Sequence, residues 1–535
     1  MSLPVSFLSL RKLNGLFGSN PSSQLYRGYL HIGHAKAALL SDYFGHVAYK
    51  GKMRLRLDDT NPSKEKQEYQ DAIVEDLALM GIKPDVLTYT SDYFDYLYEM
   101  CIKLIKMGKA YADDTDQETM REERMNGTAS KRRERTIEEN LRIFEEMKQG
   151  TAEGLANCIR AKLSVDNPNK AMRDPVIYRC NVTDKHHRTG DKWKAYPMYD
   201  FACPVVDSHE GVTHALRSTE YTDRNPQYQW FIDTLGLRQV HMWDFSRLNF
   251  IKTFLSKRKL AKLVDNGHVW GWDDPRMPTI RGVRRRGMTV AALRDFIIKQ
   301  GPSRNIVSMD WTTFWASNKK EIDPVAPRHT ALLQKDIVNT ELTGAEAPTS
   351  VVIEKRPKHP KNPEVGEKDV VFSSKILMDQ ADAKSFKVDE EITLMGWGNA
   401  FVREISTSDP ISSLKLELNL KGDFKSTDKK VTWLSSEGPN ALVPAELWEF
   451  DYLITKDKLE EDDNVEDFLN PNTASMEDAL CDAGVGLLKK DDIIQLERRG
   501  FFRVDKGLED WAPGEAGLKG KRVVLFAIPT GKGGR

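Results

Sequence analysis

Between Gly28 and Ala35 the chain reads Gly-Tyr-Leu-His-Ile-Gly-His-Ala, and an apolar helix follows directly, over Ala35 to Phe44. His31 and His34 stand three apart with Gly33 between them, at a point where a strand gives way to a helix. At a helix N-terminus the free backbone N–H groups and the helix dipole favour bound phosphate. Glycine lets a ligand come close to the backbone. Two histidine side chains on the first turn can donate hydrogen bonds to an oxygen that gains charge during displacement at phosphorus. H-x-x-H alone reads as readily as a pair of surface or metal-ligand histidines. The glycine before it and the alanine-rich helix after it narrow the reading.

Past this element the periodicities alternate. Met53 to Leu57 alternates as a strand, and Asp58-Asp59-Thr60-Asn61-Pro62 ends it with turn residues. Helical spacing follows over 63–80 and 93–107. Strands alternating with helices predict a parallel sheet wrapped by helices. Residues 116–150 differ: Arg121-Glu122-Glu123-Arg124 and Lys131-Arg132-Arg133-Glu134-Arg135 mark a charged insertion of two helices, with strands at 159–165 and 176–180. An apolar strand pattern resumes at Pro197 and leads into helices at 226–235 and 289–299. After Pro324 short strand-like runs recur, separated by Gly, Pro, Asp and Asn, which predicts a pair of β-barrels. Residues 457–467 read as an acidic loop.

A formal net charge of -1 gives no global basic field, so a nucleic-acid partner has to meet a local basic surface. None of the five cysteines lies in a C-x-x-C pair, which argues against a zinc knuckle or disulfide framework and for a reducing compartment. No apolar run is long enough to span a membrane. His186-His187 reads as a polar turn, and no dedicated metal site is expected. The stretch before Asp42 carries no acidic residue and is rich in Ser and Leu, with Arg11, Lys12 and Arg27. It reads either as a transit peptide or as a divergent first exon.

A second constellation, Phe254-Leu255-Ser256-Lys257-Arg258-Lys259-Leu260, lies about 220 residues beyond the first and just after Arg247-Leu248-Asn249. Three cations with a small hydroxyl residue suit a triphosphate whose charge redistributes in the transition state. An ordinary solvated basic run is the alternative, and the position after Arg247 argues against it.

Together the two elements resemble the paired signatures of class I aminoacyl-tRNA synthetases, with Leu-Ser-Lys-Arg-Lys standing where the generic form reads K-M-S-K-S. The resemblance extends from Gly28 over most of the chain. Arg56-Leu57-Asp58-Asp59-Thr60-Asn61-Pro62, Tyr196 to Phe201, Gly211 to His214, Gly271 to Arg276, Arg284 to Thr289 and Gln495 to Phe502 all look like the glutamyl/glutaminyl group. It implies an α/β Rossmann-type class I synthetase catalytic domain with an α+β insertion that binds the acceptor stem. An all-β C-terminal region of two β-barrels would bind the anticodon. The boundaries expected are a divergent segment at 1–24, catalytic parts at 25–110 and 200–324, the insertion at 111–199 and the barrels at 325–535. The implied substrates are ATP, with Mg2+, an amino acid and tRNA. A cytoplasmic location goes with the branch, accessory-protein partners stay open, and no membrane is involved.

Residue roles carry over by motif position. His31, His34 and Lys257 are the implied catalytic residues. Gly33, Ala35, Lys36, Ser218, Arg247, Leu248, Ser256 and Arg258 would line ATP, with Arg247 and Leu248 flanking the adenine. Asp58 would take the α-amino group through charge-assisted hydrogen bonds, and Tyr199 would contact the amino acid. Arg217, ending Val212-Thr213-His214-Ala215-Leu216-Arg217, decides between glutamate and glutamine. A guanidinium there forms a bidentate bond to a γ-carboxylate. Facing an amide it loses a charged partner, at about 2–5 kcal/mol, on the order of 30-fold to several thousand-fold in preference. The implied reaction is charging of tRNA(Glu) with L-glutamate. Charging with glutamine is the alternative. The family's R-F-x-P-E-P-[NS] loop before Gly28 is absent here, where the chain reads Pro21-Ser22-Ser23-Gln24-Leu25-Tyr26-Arg27. That departure motivates a third reading, a catalytically impaired relative that only binds tRNA.

Overall fold

The structure, a computed structural model, describes residues 6–9, 29–63, 67–439, 441–460 and 462–531, with backbone only at 6–9, 67–69 and 518. The chain packs into two units. The first comprises Met1–Asn249, Leu255–His268 and Arg294–Ser308, and the second Phe250–Phe254, Val269–Leu293 and Met309–Arg535.

The first unit is built on a five-stranded parallel sheet: β1 (Ser6–Ser9), β2 (Lys52–Leu57), β3 (Val86–Tyr89), and the later strands His214–Ser218 and His241–Phe245. Their order across the sheet is β3, β2, β1, His214–Ser218, His241–Phe245. The order reverses at β1, so a crevice opens at the carboxyl ends of the central strands, where α/β sheets bind ligands. Helices α1 (Ile32–Asp42) and α2 (Gln67–Leu79) make the crossovers between β1, β2 and β3, and α3 (Phe94–Lys106) leads from β3 into the insertion. The central strand falls within the segment that sequence reading set apart as 1–24. The loop at 21–27 and Gly28 lie outside the described residues.

An antiparallel sheet of β4 (Ala110–Asp113), β5 (Cys158–Ala161), β6 (Val176–Cys180) and β7 (Ala195–Pro197) interrupts the parallel one. Between β4 and β5 come the charged helices α4 (Gln117–Asn126) and α5 (Ile137–Gln149). Asp116 and Thr136 cap them by accepting backbone N–H groups, and Gly127 and Gly150 end them in the left-handed conformation. Helix α5 buries Ile143, Phe144 and Met147 against Tyr98 and Tyr178, with Phe144 stacked on Tyr98 at 4.5 Å. Arg160 and Asp113 form a buried ion pair at 2.8 Å under the insertion.

Where sequence reading expects a strand after Pro197, the chain forms helix α6 (Tyr199–His209), followed by β8 (His214–Ser218), α7 (Asn225–Leu235) and β9 (His241–Phe245). The run Phe201-Ala202-Cys203-Pro204-Val205-Val206 is buried throughout. A continuous apolar run has no period, so a fully buried helix and a fully buried strand look alike. Helix α8 (Lys257–Asp265) follows the Phe254-Leu255-Ser256 segment and packs in the first unit.

The second unit holds two curled half-barrel sheets of seven strands each. One includes Val443–Phe450, Ala474–Cys481, Ile493–Leu496, Gly500–Lys506 and Val523–Ile528. The other includes Val338–Thr343, Lys375–Met378, Glu391–Leu394, Gly398–Ile405 and Ser413–Asn419. Alternation places Leu414, Leu416 and Leu418 in the core of the second sheet, with Lys415 outside. Residues 269–293 and 309–324, read from sequence as the end of the catalytic part, pack with this unit.

Phe144→Ala should destabilise the first unit by about 3–5 kcal/mol, because its buried ring leaves a cavity among Tyr98 and Tyr178. Leu487→Ala, at a side chain 84% exposed, should change stability by less than about 0.5 kcal/mol. Urea unfolding followed by near-ultraviolet circular dichroism measures both.

Candidate active site

Helix α1 begins at His31, whose extended backbone (φ -109°, ψ 171°) makes it the N-cap. Its Nδ1 accepts the Gly33 N–H at 3.1 Å, and Nδ1 of His34 accepts the His31 N–H at 3.1 Å. Each imidazole thus does the capping usually left to Ser or Glu. With Nδ1 an acceptor on both rings, the neutral form carries its proton on Nε2. The rings stack at 3.7 Å and are both buried. His34 Nε2 is buried and has no hydrogen-bond partner among the described residues. Asp76 of α2 holds the approach to this turn by accepting the Leu30 N–H at 2.7 Å.

The two signature elements meet. A Cβ on Gly33 would lie 3.0 Å from the His31 ring and 3.2 Å from Leu255 Cδ1, so the glycine lets the start of α1 approach the Leu255-Ser256-Lys257 segment. Ser256 occupies the N-cap position of α8, Lys257 is its first residue, and Ser256 and Arg258 are exposed. Burial lowers the pKa of His31 well below 6.5, and Lys257 and Arg247 push it further. Burial, His31 and the same two cations lower that of His34. Both rings are therefore neutral donors at pH 7, set beside positive charge that phosphate would neutralise.

The other implied nucleotide residues surround this point. Gly33, Ala35 and Lys36 line the buried start of α1. Lys36 Nζ reaches Ser246 Oγ at 3.4 Å, and burial lowers its pKa. Ser246, Arg247 and Leu248 follow the end of β9; Arg247 pairs with Glu220, and Leu248 is buried. Ser218 ends β8 and Asp58 follows β2, both at carboxyl ends of parallel strands, with Asp58 half-buried. The neighbouring Asp59 serves the structure: it accepts the N–H and hydroxyl of Ser91, and its carbonyl accepts from His186 Nε2. His186 Nδ1 accepts two backbone N–H groups of its own turn. Among the described residues no group of three or more His, Cys, Asp or Glu could hold a metal ion.

A second cluster forms around Arg217 on β8, 6% exposed. Its guanidinium carbon lies 5.6 Å from the Tyr221 ring and 5.3 Å from the Tyr228 ring. Nη1 is 3.7 Å from Met242 Sδ, and Nε is buried without a hydrogen bond. Among the described residues Arg217 has no ion pair. Burial opposes its charge, while Tyr199, Cys203, Tyr228 and, at longer range, the carboxylate of Asp200 favour it, and the net shift is upward; Asp200 is itself paired with Arg224 at 2.8 Å. Tyr199 opens α6 with its ring 6.0 Å from that of Tyr221. Sequence reading missed Tyr221 and Tyr228. They lie four and eleven residues past Arg217, where the strand turns into a helix that folds back beside it.

Because both histidines stay neutral in the fold but protonate near pH 6.5 when unfolded, the unfolded state binds more protons below that pH. Stability is therefore full above pH 6.5 and falls as pH drops toward the folded-state values, with a slope of up to about 1.4 kcal/mol per pH unit for each histidine. His34→Gln should flatten this fall, as measured by urea unfolding between pH 7.5 and 5.

The sequence pattern of the class I tRNA synthetases (E and Q), catalytic domain, matches residues 21–324. The two anti-codon binding domain patterns of the same group match 326–420 and 430–505. The chain is 60% identical over 507 residues to a probable cytoplasmic glutamate–tRNA ligase of Schizosaccharomyces pombe, covering 94% of this chain and 69% of that one. It is 57% identical over 506 residues to a cytoplasmic glutamate–tRNA ligase of Saccharomyces cerevisiae, with the same two shares. With that of Arabidopsis thaliana it shares 49% identity over 534 residues, 99% of this chain and 71% of the other. Paired signatures that meet at a helix start, a parallel sheet that reverses at β1, and a pattern match covering more than half the chain lead to one conclusion: the chain belongs to the glutamyl/glutaminyl group of class I aminoacyl-tRNA synthetases.

Proposed function

We propose that this chain activates L-glutamate with ATP and transfers it to the 3′ end of tRNA(Glu), in the cytoplasmic compartment its relatives' names give. The observation that carries the substrate is Arg217: a buried guanidinium, walled by tyrosines, without a carboxylate partner among the described residues. A buried unpaired cation is costly, and a γ-carboxylate offsets that cost where an amide does not.

In the first step a glutamate carboxylate oxygen attacks the α-phosphorus of ATP. The bond to the β-phosphate bridge oxygen breaks, and pyrophosphate leaves with the electron pair. His31 and His34 donate from Nε2 to the α-phosphate oxygens as charge builds there. Lys257, Ser256 and Arg258 hold the departing phosphates. Gly33, Ala35, Lys36 and Ser218 shape the nucleotide pocket, and Arg247 and Leu248 flank the adenine. Asp58 takes the α-ammonium, and Tyr199 and Arg217 hold the side chain. In the second step a terminal ribose hydroxyl of tRNA attacks the acyl carbon and AMP leaves. Magnesium enters with ATP as part of the substrate and spreads the charge of its phosphate oxygens.

The two seven-stranded sheets of the second unit are the proposed anticodon reader. A cavity of about 330 Å3 there is lined by Arg328, Arg356, Lys368, Trp433 and Glu497. Arg328 Nε is buried with no hydrogen bond, and a base edge would supply one. No helix among the described residues is long and apolar enough to cross a membrane.

Charging of total tRNA with glutamate and glutamine side by side tests the proposal. Glutamate should be the substrate, and Lys257→Ala should lower kcat/KM at least about a hundredfold. Arg217→Gln should lower kcat/KM for glutamate by about 30-fold or more with little change for glutamine. Equal use of both amino acids by the parent chain would refute the role of Arg217. A folded chain that binds tRNA without charging it would favour the binding-only reading.

A further inference from the structure

Behind Arg217 runs a chain of buried polar contacts to which no role has yet been given. Asp207 on α6 is 1% exposed and is held from two sides. Arg56 Nη2 on β2 donates to its Oδ1 at 2.8 Å, and the Tyr228 hydroxyl on α7 donates to its Oδ2 at 2.7 Å. Arg56 Nη1 is bound in turn to Glu210, which also accepts from Thr88 Oγ1 at 2.7 Å and Tyr93 Oη at 2.8 Å. The Tyr228 ring therefore stands between a buried anion, Asp207, and a buried cation, Arg217. Opposite charges out of water attract strongly, and a pair formed between these two would consume the guanidinium.

We propose that Tyr228 is a specificity-determining positioning residue: by giving its hydroxyl to Asp207 and its ring face to Arg217, it keeps the guanidinium free of protein carboxylate and available to the γ-carboxylate of glutamate. The proposal rests on the reading of Arg217 as the side-chain ligand. Arg56 already holds the other oxygen of Asp207 and a carboxylate oxygen of Glu210. Removing the Tyr228 hydroxyl leaves Asp207 short of one hydrogen bond, with Arg217, which has no ion pair among the described residues, lying over the same Tyr228 ring. A guanidinium turned toward Asp207 leaves the substrate pocket without net charge. Glutamate then loses its counter-charge, whereas glutamine loses nothing, so the ratio of the two substrates reports the effect. A merely structural loss would lower both alike.

The test is steady-state aminoacylation by the full chain carrying Tyr228→Phe, Asp207→Asn with Tyr228→Phe, or Arg217→Gln. Tyr228→Phe should raise KM for glutamate about tenfold, with kcat within about threefold, and should lower the glutamate-to-glutamine ratio of kcat/KM about tenfold. The double variant should return KM to within about threefold of the parent, because asparagine at 207 has no charge to draw the guanidinium. Tyr228→Met, which also removes the ring, is the second variant and should lower the ratio at least as far. An unchanged KM in Tyr228→Phe, alongside a raised KM in Arg217→Gln, overturns the proposal alone. So does a double variant that stays as impaired as the single one. An unchanged KM in Arg217→Gln overturns the reading of Arg217, and the proposal with it.

Discussion

Arg56 is 2% exposed and grips two carboxylates of one helix, Asp207 and Glu210, from a strand of the parallel sheet. Taking three charges out of water is repaid only if each finds partners of good geometry. Here Thr88, Tyr93 and Tyr228 supply the remaining hydrogen bonds. The network fixes α6 on the sheet at one register. That helix begins at Tyr199 and carries Cys203, which favours the charge of Arg217, so the proposed amino-acid side of the site takes its geometry from this charge network. Removing Arg56 would leave two buried carboxylates uncompensated, whereas Asp207→Asn leaves Arg56 still paired with Glu210.

The proposed nucleotide side is built differently. His31 and His34 spend one ring nitrogen each on capping their own helix and keep the other as a donor. Two cations nearby would repel a second pair of positive charges, so burial and electrostatics agree on neutral imidazoles. Stabilisation of an oxyanion by neutral donors at a helix start needs no proton transfer and little reorganisation.

Much of this was legible in the chain. The turn before α1 carries its chemistry in consecutive residues, and α1, α3, α5 and the alternating strands of the second unit show regular periods. Arg217 stands out in the sequence because it ends a motif. What escaped is what depends on contacts across the chain. Helix α6 is buried on every side and has no polar face to set its period. Tyr228 and Asp207 carry no motif, and they matter only because α6 and α7 bring them together over 21 residues of sequence. Motif position assigns Asp58 from the sequence, but that the adjacent Asp59 is occupied by Ser91 and His186 shows only in the fold.

The placement of β1 at the middle of the parallel sheet has a consequence for biosynthesis. Phe7 pairs with His214, about 200 residues later in the chain, across the whole antiparallel insertion. At about 5–20 residues per second a ribosome needs on the order of 10–40 s to deliver β8 after β1. During that interval one edge of β1 has no neighbour, and unpaired strand edges invite pairing with other chains. The insertion makes local antiparallel contacts and packs its aromatic residues against α3 and α6, both of which are made before β8. β8 then seats between β1 and β9, the last strand of the sheet to be made.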